Sequence, residues 1–126
     1  MNEQPVFEDD QKELEKSFHS LKISCYLNKA ACSLKLHNWQ IAVDDTSTVL
    51  QMSPEYLSDT DKAKALYRRG SAEVGMKDEE AAIKDLQEAL NINPQDAAII
   101  KEITIAKQKI QAREKAQKKA FAKMFE

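Results

Sequence analysis

The segment KALYRRG, residues 64–70, carries cationic side chains that helix packing alone does not require. Lys64 and Arg68 are four residues apart, so on a helix they share one face and their like charges repel each other. Asn28 falls in register with Arg68 when the chain is aligned with itself, as described below. Ionised carboxylates only accept hydrogen bonds, whereas asparagine, lysine and arginine side chains all donate them. The three residues therefore predict a carboxylate-binding site.

Each of these residues has a simpler interpretation. Lys64 and Arg68 would also suit a solvated helix face, and Asn28 could be a buried amide bonded to a loop carbonyl. Arg69 lies about 100° around the helix from Arg68 and is expected on the surface. His19 and His37 are too few and too scattered for a metal site. We predict no catalytic residue, no metal and no cofactor.

Composition bounds the class of protein. The 126 residues allow one modest domain, and a net charge of −2 gives no overall nucleic-acid signal. Two glycines cannot form a glycine-rich phosphate loop. No apolar run could span a membrane, and the acidic start MNEQPVFEDD is not a signal peptide, so a cytoplasmic location is expected.

The two cysteines bear on the compartment. On one helix Cys25 and Cys32 would be about 10 Å apart, beyond the reach of a disulfide. We expect reduced thiols in a reducing compartment, buried as small packing residues.

The chain repeats itself at an offset of forty residues. LQMSP, ending at Pro54, aligns with LNINP, ending at Pro94, and Asp45 aligns with Asp85. Small residues also coincide, which would let paired helices approach closely. The aligned small pairs are Ala30 with Gly70 and Ala42 with Ala82.

Hydrophobic periodicity divides each unit into two helices. The predicted helices span residues 10–36, 39–52, 60–76, 79–92 and 95–123. The last helix has an apolar stripe that can cap the stack, formed by Ile99, Ile103, Ala106 and Ile110. The predicted segments are a flexible acidic start (1–9), a helix pair (10–54), an inserted turn (55–60), a second helix pair (61–94) and a capping, projecting basic helix (95–126).

This pattern resembles tetratricopeptide repeats, whose period is about 34 residues. The resemblance implies an all-α stack of helical hairpins, a superhelix closed by a C-terminal capping helix. YLNKAAC and KALYRRG further resemble the dicarboxylate clamp of chaperone-binding tetratricopeptide domains. The clamp ligand in that family is the acidic C-terminal peptide Met-Glu-Glu-Val-Asp of the ninety-kilodalton heat-shock chaperone. By this match Asn28, Lys64 and Arg68 bind the peptide carboxylates.

A narrower resemblance is to the C-terminal part of the forty-kilodalton cyclophilins, carried by LNKAACSLKLHNWQIAVDD, KALYRRGSA and the ending AKMF. The first repeat, with its lysine and asparagine, has no match here, and neither does the domain that catalyses prolyl isomerisation. The resemblance therefore implies a co-chaperone docking module that is not itself an enzyme, with an incomplete clamp.

Two other functions remain open. Residues 14–32 carry a 4-3-4-3-4 seam of Leu14, Phe18, Leu21, Cys25, Asn28 and Cys32, which is typical of a self-associating helix. Residues 107–125 are basic, with Ile110, Phe121 and Phe125 as anchors for calmodulin. No nucleic acid and no membrane are expected as partners.

Overall fold

The computed structural model describes the backbone of residues 4–126 and the side chains from residue 8 onward, and this part of the chain contains no strand. Its five helices confirm the predicted number and lie close to the predicted bounds. They are α1 (Gln4–Lys35), α2 (Trp39–Leu50), α3 (Asp59–Gly75), α4 (Glu79–Ile92) and α5 (Ala97–Lys123).

Helix α1 begins at Gln4 rather than at residue 10. Pro5 is tolerated there because the first turn of a helix has no intrahelical partner for its missing N–H. Residues 4–9 of the predicted flexible segment are therefore helical, and residues 1–3 lie outside the described part of the chain.

The helices pack as a stack of hairpins. Each helix contacts the next one in sequence, and α3 also contacts α1 and α5. The odd-numbered helices are therefore neighbours along one side of the stack. This arrangement confirms the predicted all-α stack of helical hairpins.

The backbone itself repeats. His37 and Lys77, forty positions apart, both adopt a left-handed conformation, with φ of 60° and 64°. Each lies in the short turn between the two helices of its unit, and His37 is exposed. The repeat inferred from residue types is therefore also a repeat of turn geometry.

Small residues set the helix spacing within each unit. Ala30, Ala42 and Ala82 are fully buried, and Gly70 is buried as well. A Cβ added at Gly70 would lie 2.7 Å from Leu86 Cγ, closer than real contacts allow. The close approach predicted from these residues is confirmed.

The link between the two units closes one end of the first core. Tyr56 and Leu57 pack against the buried cluster that contains Ile23 and Leu27. The Tyr56 ring stacks on His19 of α1 at a centroid distance of 3.9 Å. Ser58 then caps α3, accepting a hydrogen bond from the Asp61 N–H at 3.2 Å. The inserted turn is thus a packed element rather than a loose loop.

Helix α5 covers the other end of the stack. Ile99, Ile103 and Ala106 are buried against α4 and join the largest apolar cluster, as the capping stripe predicts. Beyond Arg113 every residue of the chain is exposed, so the basic end extends away from the body.

The expectation that both cysteines are buried is wrong. Cys25 and Cys32 are free and exposed. Ile23, Leu27 and Ala30 form the packed face of α1, and the cysteines lie on the opposite face. A helical period predicts which residues share a face, but it does not decide whether a mixed face is covered.

Candidate functional site

Arg68 is held in place by the neighbouring odd-numbered helix. Its Nη1 donates a hydrogen bond to the backbone carbonyl of Leu27 in α1 at 2.7 Å. Burial lowers the pKa of Arg68, but an arginine remains charged at neutral pH. The half-buried guanidinium of Arg68 therefore lies beside Leu27, the residue before Asn28.

Lys64 lies one turn before Arg68 on the same helix and is exposed. Among the residues whose side chains are described, it forms no ion pair. It borders a cavity of about 160 Å³ between α3 and the start of α5. The other residues lining this cavity are Thr60, Ala63, Tyr67, Asn93, Asp96 and Ile99.

Asn28 is exposed on α1. A buried amide bonded to a loop carbonyl is therefore excluded for this residue. The bond from Arg68 to Leu27 brings the α3 cation to the level of Asn28, and Lys64 follows along the same helix face. The three residues predicted from the sequence thus lie on the two helices α1 and α3, which contact each other.

Tyr67 lines the same cavity as Lys64. It is half-buried between the apolar cluster and the cavity beside Lys64. Burial, followed by the nearby charge of Glu102, raises the pKa of its phenol. Tyr67 is thus one of the polar residues that line this cavity, and a neutral phenol can both donate and accept a hydrogen bond.

The expectation that Arg69 is a surface residue is wrong. Its Nε and Nη2 donate to both carboxylate oxygens of Asp85, at 2.7 and 2.8 Å, and its Nη1 donates to Ser47 Oγ at 3.2 Å. The Asp85 side chain is only 7% exposed. Arg69 lies about 100° around the helix from Arg68 and therefore faces the even-numbered helices, where it contacts Asp85. Arg69 therefore joins α3 to α4 and to α2.

Asp85 is flanked by a second carboxyl group, that of Glu73. Burial, together with a hydrogen bond to Asp85, raises the pKa of Glu73 to about 8. Burial also opposes ionisation of Asp85, but the hydrogen bonds from Arg69 and Glu73 outweigh it and lower the pKa of Asp85. These opposite shifts favour the protonated form of Glu73 and the charged form of Asp85, which faces Arg69.

The first unit contains a weaker version of the same ion pair. Lys29 and Asp45 occupy the positions forty residues before Arg69 and Asp85, and their charged atoms are 3.6 Å apart. Lys29 is 62% exposed, so water competes with this contact. The repeat therefore uses a basic residue of its first helix to pair with a buried aspartate of its second.

Arg113 joins α5 to the start of α4. It donates to Glu79 Oε1 at 2.8 Å and to Glu80 Oε1 at 3.3 Å. Glu79 is a buried carboxylate at the start of α4, so this contact neutralises a charge that burial would otherwise penalise. The ion pair marks where α5 leaves the body.

The part of the chain that the structure describes contains no cluster of three metal-ligating side chains. His19 and His37 each stack on an aromatic ring, His37 on Trp39 at 4.8 Å. No helix in this part of the chain is long and apolar enough to cross a membrane.

Fold and site together define a class: a stack of helical hairpins with an exposed polar and cationic face on its odd-numbered helices. No family model matches the chain. Among curated proteins it is similar to peptidyl-prolyl cis-trans isomerase D of Cryptococcus neoformans var. neoformans serotype D, in strains JEC21 and B-3501A. The identity is 43% over 126 aligned residues in each case, covering 96% of this chain.

The chain spans 33% of the length of these relatives. The predicted resemblance to the forty-kilodalton cyclophilins is confirmed as sequence similarity, which extends over nearly the whole of this chain and a third of each relative. Residues 4–126 are helical hairpins and do not have a cyclophilin fold. The isomerase activity in the relatives' name is a property of those proteins.

Proposed function

We propose that this chain is a co-chaperone docking module of the tetratricopeptide type, which binds the acidic C-terminal peptide of the ninety-kilodalton heat-shock chaperone. The observation that carries the proposal is the hydrogen bond from Arg68 to the Leu27 carbonyl, at 2.7 Å. It fixes one cation next to Asn28 and leaves the other donors of the guanidinium for a ligand.

The clamp would work through charge-assisted hydrogen bonds. Lys64 is exposed and Arg68 is half-buried, so a terminal carboxylate can reach both from the open side of the stack. Asn28 would donate its amide beside them. Hydrogen bonds to charged groups contribute about 1.5–3 kcal/mol each when well formed. A lysine and an asparagine of the first repeat in the resembled family have no counterpart here, so affinity should fall about a hundredfold or more, to the high micromolar or millimolar range.

The proposal is tested by titrating fluorescently labelled Met-Glu-Glu-Val-Asp peptide and following its polarisation. Lys64→Ala should abolish measurable binding, because the carboxylate of the peptide loses a cationic partner. The fold should be kept, because the Lys64 side chain is exposed. Arg68→Ala should do the same, with circular dichroism confirming that the fold is kept. Lys62→Ala is the matched control: it removes the same charge from an exposed position of α3 about 200° away.

Equal losses in Lys62→Ala and Lys64→Ala would show attraction to a diffuse basic surface instead of a clamp. Binding unchanged in Lys64→Ala and Arg68→Ala would remove the clamp from this chain. Arg69→Ala is unsuitable as a control because Arg69 pairs with Asp85. An amidated peptide should bind more weakly than the free acid, and binding should weaken with salt because the site is open to solvent.

A second candidate function rests on the end of α5. Phe121, Met124 and Phe125 are 63–77% exposed at the end of a basic helix, which suits an acidic, methionine-rich groove such as that of calmodulin. Titration with calcium-loaded calmodulin tests this alternative. Phe121→Ala should weaken the complex, whereas Lys64→Ala should not. An equal effect of both substitutions would count against an α5 site.

A further inference from the structure

An apolar stripe on α1 is left uncovered by the part of the chain that the structure describes. Leu14, Phe18 and Leu21 are 70%, 62% and 68% exposed. The same helix face continues through Cys25, Asn28 and Cys32, which are also exposed, at the 4-3-4-3-4 spacing of a coiled-coil seam. We call these six residues the α1 stripe. It lies opposite the face that carries Ile23 and Leu27 into the core.

We propose that the α1 stripe pairs with α1 of a second copy of this chain, and that the two helices run antiparallel. In the favoured register Leu14 lies opposite Cys25 of the second copy, and Phe18 lies opposite Leu21 of the second copy. The two-fold axis makes each of these two contacts occur twice, so the pair contains four consecutive apolar layers. Asn28 lies opposite Gln11 of the second copy, so a polar layer closes each end.

Charge complementarity selects this orientation. Glu15 and Lys22 flank the α1 stripe on one side, and antiparallel pairing places Glu15 of each copy beside Lys22 of the other. Glu15 accepts a hydrogen bond from Tyr56 through Oε2 only, which leaves its other oxygen for the lysine. Ser17 and Ser24 flank the opposite side and are small and uncharged.

The alternatives have worse electrostatics. A parallel, in-register pair would place Asp10 beside Glu15 of the second copy, and serines beside lysines, with no attractive pair. An antiparallel pair shifted by one heptad would bring Lys22 against Lys22 of the second copy. The favoured register is the one in which both charged contacts are attractive.

The shape of the chain leaves room for such a pair. Residues 8–18 of α1 are all exposed, so this half of the helix is accessible to a partner although Glu15 contacts Tyr56 of the link. The centre of the proposed pair falls between residues 19 and 20, which places the body of the second copy alongside this uncovered half. Because the α1 stripe faces away from each core, the two bodies lie on opposite sides of the helix pair. Asn28 is then shared between this interface and the proposed clamp.

Sedimentation equilibrium of the reduced chain tests the pairing, and we expect a monomer–dimer equilibrium. Glu15→Lys or Lys22→Glu should each weaken dimerisation about tenfold, because two attractive contacts per dimer become repulsive. The double variant should restore the dissociation constant to within about twofold. Lys16→Glu changes the net charge as Lys22→Glu does, but on the far side of the helix, and should leave dimerisation unchanged.

Three results would overturn the proposal: a monomer at millimolar concentration, failure of the double charge swap to restore dimerisation, or equal weakening by Lys16→Glu. Cross-linking checks the register directly. With Cys32→Ser to remove the second thiol, Leu14→Cys should give a diamide-oxidised dimer joined between the introduced thiol and Cys25 of the second copy. A dimer joined through the two Cys25 residues, or no cross-linked dimer, would contradict antiparallel pairing.

Discussion

Two adjacent arginines of α3 have opposite roles. Arg68 faces the odd-numbered helices and bonds a backbone carbonyl, which leaves donors for a ligand. Arg69 faces the even-numbered helices and donates hydrogen bonds to Asp85 and Ser47. One residue of displacement along a helix therefore separates a candidate binding group from a structural one.

The structural role of Arg69 can be measured. Arg69→Ala should lower the free energy of unfolding by about 2–3 kcal/mol, because Asp85 loses its charged partner while it stays buried. The comparison is Lys29→Ala in the first unit, where the lysine is 62% exposed and the expected loss is less than about 1 kcal/mol. Urea unfolding followed by circular dichroism gives both values. Similar losses would mean that burial of the ion pair does not matter.

Glu73 predicts a pH dependence of stability. Its pKa is about 8 in the folded chain, above the ordinary value of 4.5, so the folded state binds more protons than the unfolded state between these values. The resulting stability is fully present below the unfolded pKa and is lost as the pH rises through about 8.

Glu73→Gln should remove this loss, because an amide can donate to Asp85 at any pH. Thermal melting of the two proteins from pH 5 to 9 should show the variant gaining relative to the original chain as the pH increases. Parallel melting curves across this range would show that Glu73 does not hold the proton.

At the scale of elements, the spacing between helices depends on glycines that lie within a helix and not in a turn. Gly75, at the end of α3, faces the indole of Trp39 at the start of α2, and a Cβ there would collide with the ring. Trp39 also packs against the cluster of Ala30, Ala42 and Ala72, as expected for an inter-helix packing residue.

Gly75→Ala should therefore destabilise the chain, although alanine is the better helix former. Overpacking costs about 1–3 kcal/mol, whereas the gain in helix propensity is about 1 kcal/mol in a helix interior and less at the last residue of a helix such as Gly75. Chemical unfolding measures the difference. Trp39→Phe supplies the internal control: in that background the smaller ring leaves space, so Gly75→Ala should cost less. An equal cost in both backgrounds would point to the backbone and not to the ring.

At the scale of the whole molecule, α5 has two distinct halves. Its first half buries Ile99, Ile103 and Ala106, and Arg113 pairs with Glu79 at the boundary. The residues after Arg113 are exposed without exception. The stack should need the first half as a cap and should not need the second.

Truncation separates the two halves. A chain ending at Arg113 should keep the urea midpoint of the full chain, because it loses only exposed residues. A chain ending at Asp96 should lose cooperative unfolding of the second unit, since Leu86 and Ala89 would lose their apolar cover. A clear fall in the midpoint for the first truncation would show that the exposed end contributes packing.

The sequence by itself determined the helices, their pairing into two units and the closely spaced small residues. These features are local, because helical periodicity, turn conformation and the positions of small residues each depend on a few neighbouring residues. The five helices therefore appear close to their predicted bounds, and the turns at His37 and Lys77 share one conformation. Asn28, Lys64 and Arg68 were found by register and charge, and their role in binding a carboxylate stays a prediction.

Only the tertiary structure decided which charged groups meet. Arg69 reaches Asp85 and Arg113 reaches Glu79, across 16 and 34 residues of chain. A period identifies the face on which a side chain lies, but not the group that faces it once helices from distant segments pack. The same reason explains the cysteines: Cys25 and Cys32 resemble core residues by type, and they are exposed because no described element covers that face of α1.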